Sequence, residues 1–112
     1  MKILVLGATG MLGYSLFKNL DTYSHLELYG TVRSISKSKK YLQVSDNKLL
    51  VCKDANNLDL LSKTINRVMP DVVINCIGLI KQHEQSKKHE IAIKLNSLLP
   101  HAIANICDKA NC

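Results

Sequence analysis

The sequence predicts an α/β chain: an incomplete doubly wound parallel sheet of about four strands, in the order 3-2-1-4, with helices on both faces. Three observations predict it. Met1 to Gly13, MKILVLGATGMLG, is an apolar run that breaks into a glycine-rich turn and resumes at helical spacing. Short apolar runs then alternate with stretches of helical periodicity down the whole chain, which calls for right-handed crossovers and parallel pairing. Finally, Asp71-Val72-Val73-Ile74-Asn75-Cys76-Ile77 carries five apolar residues in seven, the composition of a strand covered on both faces.

In order, Ile3 to Leu6 is the first strand, and a helix follows from Met11 to Leu20 with Leu12, Leu16, Phe17 and Leu20 as its apolar stripe. The second strand is expected at Leu26 to Val32. Arg33 and Ser34 open a polar stretch, SISKSKKYLQVSDNK, whose serines, lysines and Asp46-Asn47 favour irregular structure. A third strand at Lys48 to Cys52 delivers Asp54, and Asn56-Asn57 is a helix start signal. Leu58, Leu61, Ile65 and Val68 form one face of a helix that stops before Pro70. The fourth strand, Asp71 to Ile77, ends at Gly78. Lys81 to Lys88 reads as a loop or frayed helix start, and a long helix begins near His89, carrying Ile91, Ile93, Leu95, Leu98, Leu99, Ala102, Ile103, Ile106 and Cys107. Pro100 lies inside it and must kink it or relax one turn, because proline removes a helical hydrogen bond. The chain then stops where a fifth strand would start, leaving a central strand as an edge and a route to self-association.

At 112 residues there is room for one core but little for a separate substrate site. A hydrophobic content of 46% and a charged content of 21% fit a soluble chain, and no apolar run reaches the roughly 20 residues of a membrane span. Met1-Lys2 leads straight into a strand rather than an export signal, so a cytoplasmic location is expected. Cys52, Cys76, Cys107 and Cys112 show no CxxC pair, and with His25, His83, His89 and His101 no metal spacing; four reduced thiols are expected. The net charge of +6 comes largely from Arg33, Lys37, Lys39, Lys40, Lys48 and Lys53, with Lys81, Lys87 and Lys88 as a second group. Such runs are commonly solvated loops; the functional alternative is attraction of a phosphate-rich ligand. Aromatic residues make up 4% and do not interleave with the cations, which sets nucleic acid aside.

The chemistry that Gly7 to Gly13 supports is anion binding. A glycine allows the tight reversal, missing Cβ atoms admit a pyrophosphate to the backbone, and the free N–H groups of the following helix face its charge. An ordinary glycine-rich turn between strand and helix is the alternative, disfavoured because the preceding strand and following helix supply the context that a phosphate site needs.

The turn GATGMLG, with spacing GxxGxxG, an arginine after the second strand, an aspartate after the third, NCIG closing the fourth and LNSLLP in the last helix together resemble the extended short-chain dehydrogenase/reductase superfamily. Within it the chain is most similar to nucleotide-sugar reductases of the dTDP-4-dehydrorhamnose reductase type. The resemblance spans the whole chain yet only the amino-terminal half or less of a complete family member. It implies a Rossmann-like domain that binds NAD(P), a separate substrate domain absent here, and hydride transfer at the sugar C4 position.

Carried over by position, Gly7, Thr9, Gly10 and Gly13 match the glycine motif, with the amides of Met11 and Leu12 at the pyrophosphate. Arg33, with Ser34 after it, stands near the adenosine ribose. A cation there pairs with a 2′-phosphate, which favours NADP, with NAD the alternative. Asp54, with Ala55, matches the acid near the adenine, or else simply initiates a helix. Cys76, Ile77 and Gly78 match the segment beside the adenosine and ribose, or else are strand core and strand exit, and Asn96 matches the helix asparagine associated with the catalytic apparatus, or else is a surface position. The family's Tyr-x-x-x-Lys proton donor has one literal match, Tyr14 with Lys18, directly behind the glycine turn where the family has no catalytic group. No catalytic residue is therefore assigned. The nicotinamide dinucleotide is the expected partner, and a nucleotide sugar only in a full-length form. A non-catalytic NAD(P)-binding module or a truncated product is the alternative.

Overall fold

The alternation of side chains between the two faces of the first strand sets the layers of the molecule. In the computed structural model, which describes residues 1–80 and 88–112, β1 (Lys2–Leu6) sends Ile3 and Val5 to one face and Leu4 and Leu6 to the other, and all four are buried. A side-chain period of two on a strand covered on both faces requires this. The first face joins Phe17, Leu28 and Leu42 in a core beneath α1 (Met11–Leu20) and α2 (Ile35–Leu42). The second joins Leu61, Ile65, Leu99 and Ile103 beneath α3 (Leu58–Val68) and α5 (Leu99–Ala110). With β2 (Glu27–Val32), β3 (Leu49–Val51) and β4 (Val72–Asn75), the sheet is parallel throughout and ordered β3-β2-β1-β4, as the sequence predicts. The carboxyl ends of β1 and β4 therefore flank the point at which the strand order reverses.

The segment after β2 departs from expectation. Residues 35–42 form α2, and of the expected polar loop only Asp46–Lys48 makes a further 3₁₀ turn. Its buried stripe uses Ser38 and Leu42, with Ile35 half-buried, so a serine occupies a position where the apolar pattern needs a larger residue to be visible. Lysine is itself a good helix former on the exposed side. Two contacts from α1 then secure the helix: the Tyr14 and Tyr41 rings lie 4.4 Å apart, and Lys18 Nζ donates to the Leu42 carbonyl at 3.1 Å.

Other boundaries shift by a residue or two. Lys48 belongs to the 3₁₀ turn and Cys52 lies just past β3, although its N–H still bonds to the Val32 carbonyl at 2.8 Å. Asp71, Cys76 and Ile77 fall outside β4, and β4 is half-buried rather than enclosed, since no strand among the described residues covers its other edge. Asn57 caps α3 by accepting from Leu60 N–H at 3.0 Å, and Met69, in a left-handed conformation, ends that helix before Pro70. Leu12 and Leu58 lie exposed in the first turns of their helices, outside the buried stripes that the spacing predicts.

The C-terminal helical stretch runs as α4 (His89–Ile93), a π-helical turn (Lys94–Leu98) and α5. Pro100 sits in the first turn of α5, so the strain of its missing N–H is taken up by the wider turn before it. Ile93 and Leu98 are exposed, because the wider turn rotates them off the stripe that continues through Leu99 and Ile103. Of the expected loop at Lys81 to Lys88, residues 81–87 lie outside the described residues; Lys88 immediately precedes α4.

Candidate dinucleotide site

Gly7 leaves β1 with φ +77°, a conformation that glycine adopts without strain. Its N–H donates to Thr31 Oγ1 at 2.9 Å and the Ala8 N–H donates to the Thr31 carbonyl at 3.0 Å, so β2 fixes the start of the turn. Gly10 N–H donates to the Gly7 carbonyl at 3.1 Å and Tyr14 N–H to the Gly10 carbonyl at 2.8 Å, which closes the turn and starts α1. A Cβ at Gly13 would collide with the Gly7 carbonyl oxygen, so helix and strand approach as closely as they do only through glycine. Gly10 differs. A Cβ there would meet only the Gly7 and Cys76 carbonyl oxygens, at 3.5 and 3.9 Å, so internal packing does not demand glycine at that position. The space it leaves lies at the N-terminus of α1, where no side chain caps the helix and the amides of Met11 and Leu12 remain available.

That space belongs to a cleft of about 440 Å³ running across the carboxyl ends of the strands. Gly7, Thr9 and Gly10 form its floor. Val32 and Arg33 border it from β2, and Cys52, Lys53, Asp54, Ala55 and Asn56 from the end of β3. Cys76, Ile77, Gly78 and Leu79 border it from β4, with Ile91 and Leu95 at the far side. A second recess adjoins at Arg33 and is lined by Thr9, Arg33, Ser34, Lys37, Ser38 and Tyr41. No carboxylate among the described residues pairs with Arg33 or Lys37. Burial raises the pKa of the Cys52 thiol, with a further contribution from the Asp54 charge, and burial alone raises that of Cys76. Both thiols therefore stay protonated at neutral pH and add no negative charge that would repel an anion.

The structure brings most of the sequence-predicted residues together. Gly7, Thr9, Gly10, Arg33, Asp54, Ala55, Cys76, Ile77 and Gly78 line the cleft itself. Met11, Leu12 and Gly13 are not among the lining residues and follow Gly10 in the first turn of α1, and Ser34 lines the adjoining recess. Asp54 also performs its local role: its carboxylate accepts from Asn56 N–H at 2.9 Å and its carbonyl from Asn57 N–H at 3.2 Å, building the turn into α3. Asn96 is not among the lining residues. Its Oδ1 accepts from Leu79 N–H at 2.7 Å and its Nδ2 donates to the Leu79 carbonyl at 3.0 Å, so the π-helical turn grips the segment after β4. Tyr14 and Lys18 serve α2 packing.

Thr31, Ile91 and Leu95 join the site though the sequence does not mark them as site residues, and Lys37 and Lys53, which the sequence marks only as members of a basic run, take individual places in it. Lys37 becomes visible only once α2 exists, which places it one helical turn beyond Ser34. For Thr31 the usable signal is its position two residues before Arg33 in a strand, on the side facing the turn.

Among the described residues no group of histidine, cysteine and acidic side chains is arranged to hold a metal, and no helix is long and apolar enough to cross a membrane. A parallel sheet ordered 3-2-1-4, with a glycine turn and helix N-terminus at its switch point, defines a Rossmann-type α/β fold. The chain belongs to the family described as RmlD substrate binding domain, whose model matches residues 1–112.

Three solved structures illustrate the likeness. A dTDP-4-dehydrorhamnose reductase from Bacillus anthracis in complex with NADP aligns with a TM-score of 0.70 at 20% identity, covering 98% of this chain and 33% of that one. A UDP-glucuronic acid 4-epimerase from Bacillus cereus, in complex with UDP-glucuronic acid and NAD, aligns with a TM-score of 0.72 at 22% identity, covering 96% and 36%. An L-threonine dehydrogenase from Clostridium difficile aligns with a TM-score of 0.79 at 20% identity, covering 99% and 34%. The chain thus spans about a third of the length of these relatives. No curated protein sequence matches it.

Proposed function

We propose that this chain is the NADP-binding portion of a nucleotide-sugar reductase that transfers hydride at the sugar C4 position, NAD being the weaker ligand. One observation carries the reading: Gly10, at the N-terminus of α1 that no side chain caps, and Arg33, which no carboxylate among the described residues pairs, line the same cleft. A dinucleotide needs a site for its pyrophosphate and a site for its adenosine, and the cleft supplies them in that order. The Met11 and Leu12 amides hold the pyrophosphate, aided by the positive end of the helix dipole. Arg33, with Ser34 and Lys37, receives the 2′-phosphate. Asp54 and Ala55 border the adenine, and Cys76, Ile77 and Gly78 pass beside the adenosine ribose. Asn96 acts through Leu79, as a positioning residue that fixes this last wall.

A nicotinamide dinucleotide, when bound, supplies the hydride. The acid at the sugar carbonyl and the sugar-nucleotide site are assigned to the rest of the longer protein. The family assignment and the one-third coverage of the relatives support this division. On this reading the 112-residue chain binds cofactor without turnover in the cytoplasm or in solution.

Fluorescence titration of NADPH and NADH against Arg33→Asp tests the assignment. The dissociation constant for NADPH should rise about 10-fold or more, equivalent to about 1.4 kcal/mol, while that for NADH changes by less than about 3-fold. Equal losses for both cofactors would refute the role given to Arg33.

A further inference from the structure

The end of α5 brings together two cysteines that the cofactor site does not use, Cys107 in its last turn and Cys112 two residues beyond it. Asn111 adopts a left-handed conformation (φ 57°) and turns the chain back on the helix. Cys112 N–H donates to the Cys107 carbonyl at 3.1 Å and Asn111 N–H to the Asp108 carbonyl at 3.4 Å. These two hydrogen bonds define a Schellman motif, in which the side chains at the two ends of the longer bond meet, usually as an apolar contact. In this chain both ends are cysteine. Each is half-buried against the core on the α3 and α5 side of the sheet. The bond lengths either side of the 3.1 Å hydrogen bond keep the two Cα atoms within about 7 Å, and a disulfide spans about 4.4–6.8 Å. Cys52 and Cys76 contrast with this pair: they follow the two outermost strands of the sheet, about three strand spacings or roughly 14 Å apart.

We propose that Cys107 and Cys112 are a reversible dithiol that closes to an intramolecular disulfide by exchange with a low-molecular-weight disulfide such as oxidised glutathione. The Cys112 thiolate attacks one sulfur of that disulfide, forming a mixed disulfide and releasing one glutathione thiolate. Cys107 then gives up its proton and its sulfur attacks Cys112 Sγ, releasing the second. The protein's two thiols lose two electrons and two protons, and the oxidised glutathione gains them as two thiols. Burial, followed by the hydrogen bond and charge of the Cys112 sulfur, pushes the Cys107 thiol up to about 11, which suits it to the second step rather than the first.

The test uses the 112-residue chain. It is incubated with oxidised glutathione, quenched with iodoacetamide and digested with trypsin. Lys109 lies between the two cysteines, so cleavage there separates them, and a Cys107–Cys112 disulfide joins the peptides 95–109 and 110–112. The expected result is that joined species, with titratable thiols falling from four to two and returning to four with dithiothreitol. Cys107→Ser, with folding checked by circular dichroism, should stop at one glutathione adduct on Cys112. A stable adduct on Cys112 in the unaltered chain without the joined peptides, disulfides only between chains, or an unmodified Cys112 in Cys107→Ser would each overturn the proposal.

Discussion

Two glycines of the same turn should respond differently to one methyl group. At Gly13 an added Cβ strikes the Gly7 carbonyl oxygen. Gly13→Ala should therefore destabilise the chain by about 1–3 kcal/mol, read by urea unfolding, because α1 must move off β1. At Gly10 the same methyl meets ordinary contacts. Gly10→Ala should leave unfolding within about 0.5 kcal/mol of the parent yet weaken NADPH binding about 10-fold or more, by filling the space beside the α1 amides. The glycine spacing is legible in the sequence because each residue answers a local requirement. Thr31 and Lys37 are not, since their contributions depend on which face of a strand or helix they occupy. The hydrogen bond from Gly7 N–H to the Thr31 hydroxyl joins residues 24 positions apart, and local spacing carries no record of it.

At the level of elements, the strands are readable because each is a short run with apolar residues between turn or helix signals, and their order follows from repeated right-handed crossovers. α2 was not, because Ser38 occupies its buried stripe and the helix is held by Tyr14 and Lys18 of α1. Lys18→Met removes the bond to the Leu42 carbonyl while keeping much of the aliphatic stem. It should cost about 0.5–1.5 kcal/mol, with the loss in hydrogen-exchange protection concentrated at the end of α2. The π-helical turn was anticipated in outline from Pro100, but not its partner. Asn96 completes both hydrogen bonds to Leu79 from that turn. Asn96→Ala leaves both Leu79 groups to water and should destabilise by about 0.5–1.5 kcal/mol. NADPH affinity should fall together with order in the segment after β4, visible as lost exchange protection at Leu79.

For the molecule as a whole, the sheet brings four strand ends to one line, and the cleft exists because the order reverses between β1 and β4. That much is legible in 112 residues, as is the meeting of the glycine turn with the ends of the other strands. The degree of burial was not: the composition of Val72 to Ile74 suits a strand covered on both sides, whereas β4 is half-exposed here, with no strand on its outer edge among the described residues. Unpaired edges promote strand addition. Sedimentation velocity should accordingly show concentration-dependent association of the chain, suppressed by Val72→Lys.

The central claim is that the Gly7 to Gly13 turn and Arg33 form one dinucleotide site. A titration of isotope-labelled chain with NADPH, followed by amide chemical shifts, tests it most directly. The predicted result is saturable shifts at Gly10, Met11, Leu12 and Gly13, and with them at Arg33 and Lys37, with smaller shifts at the latter two for NADH. A folded chain whose amides at these positions stay unmoved up to about 5 mM NADPH would contradict it, since even a weak site of about 1 mM affinity would then be mostly filled.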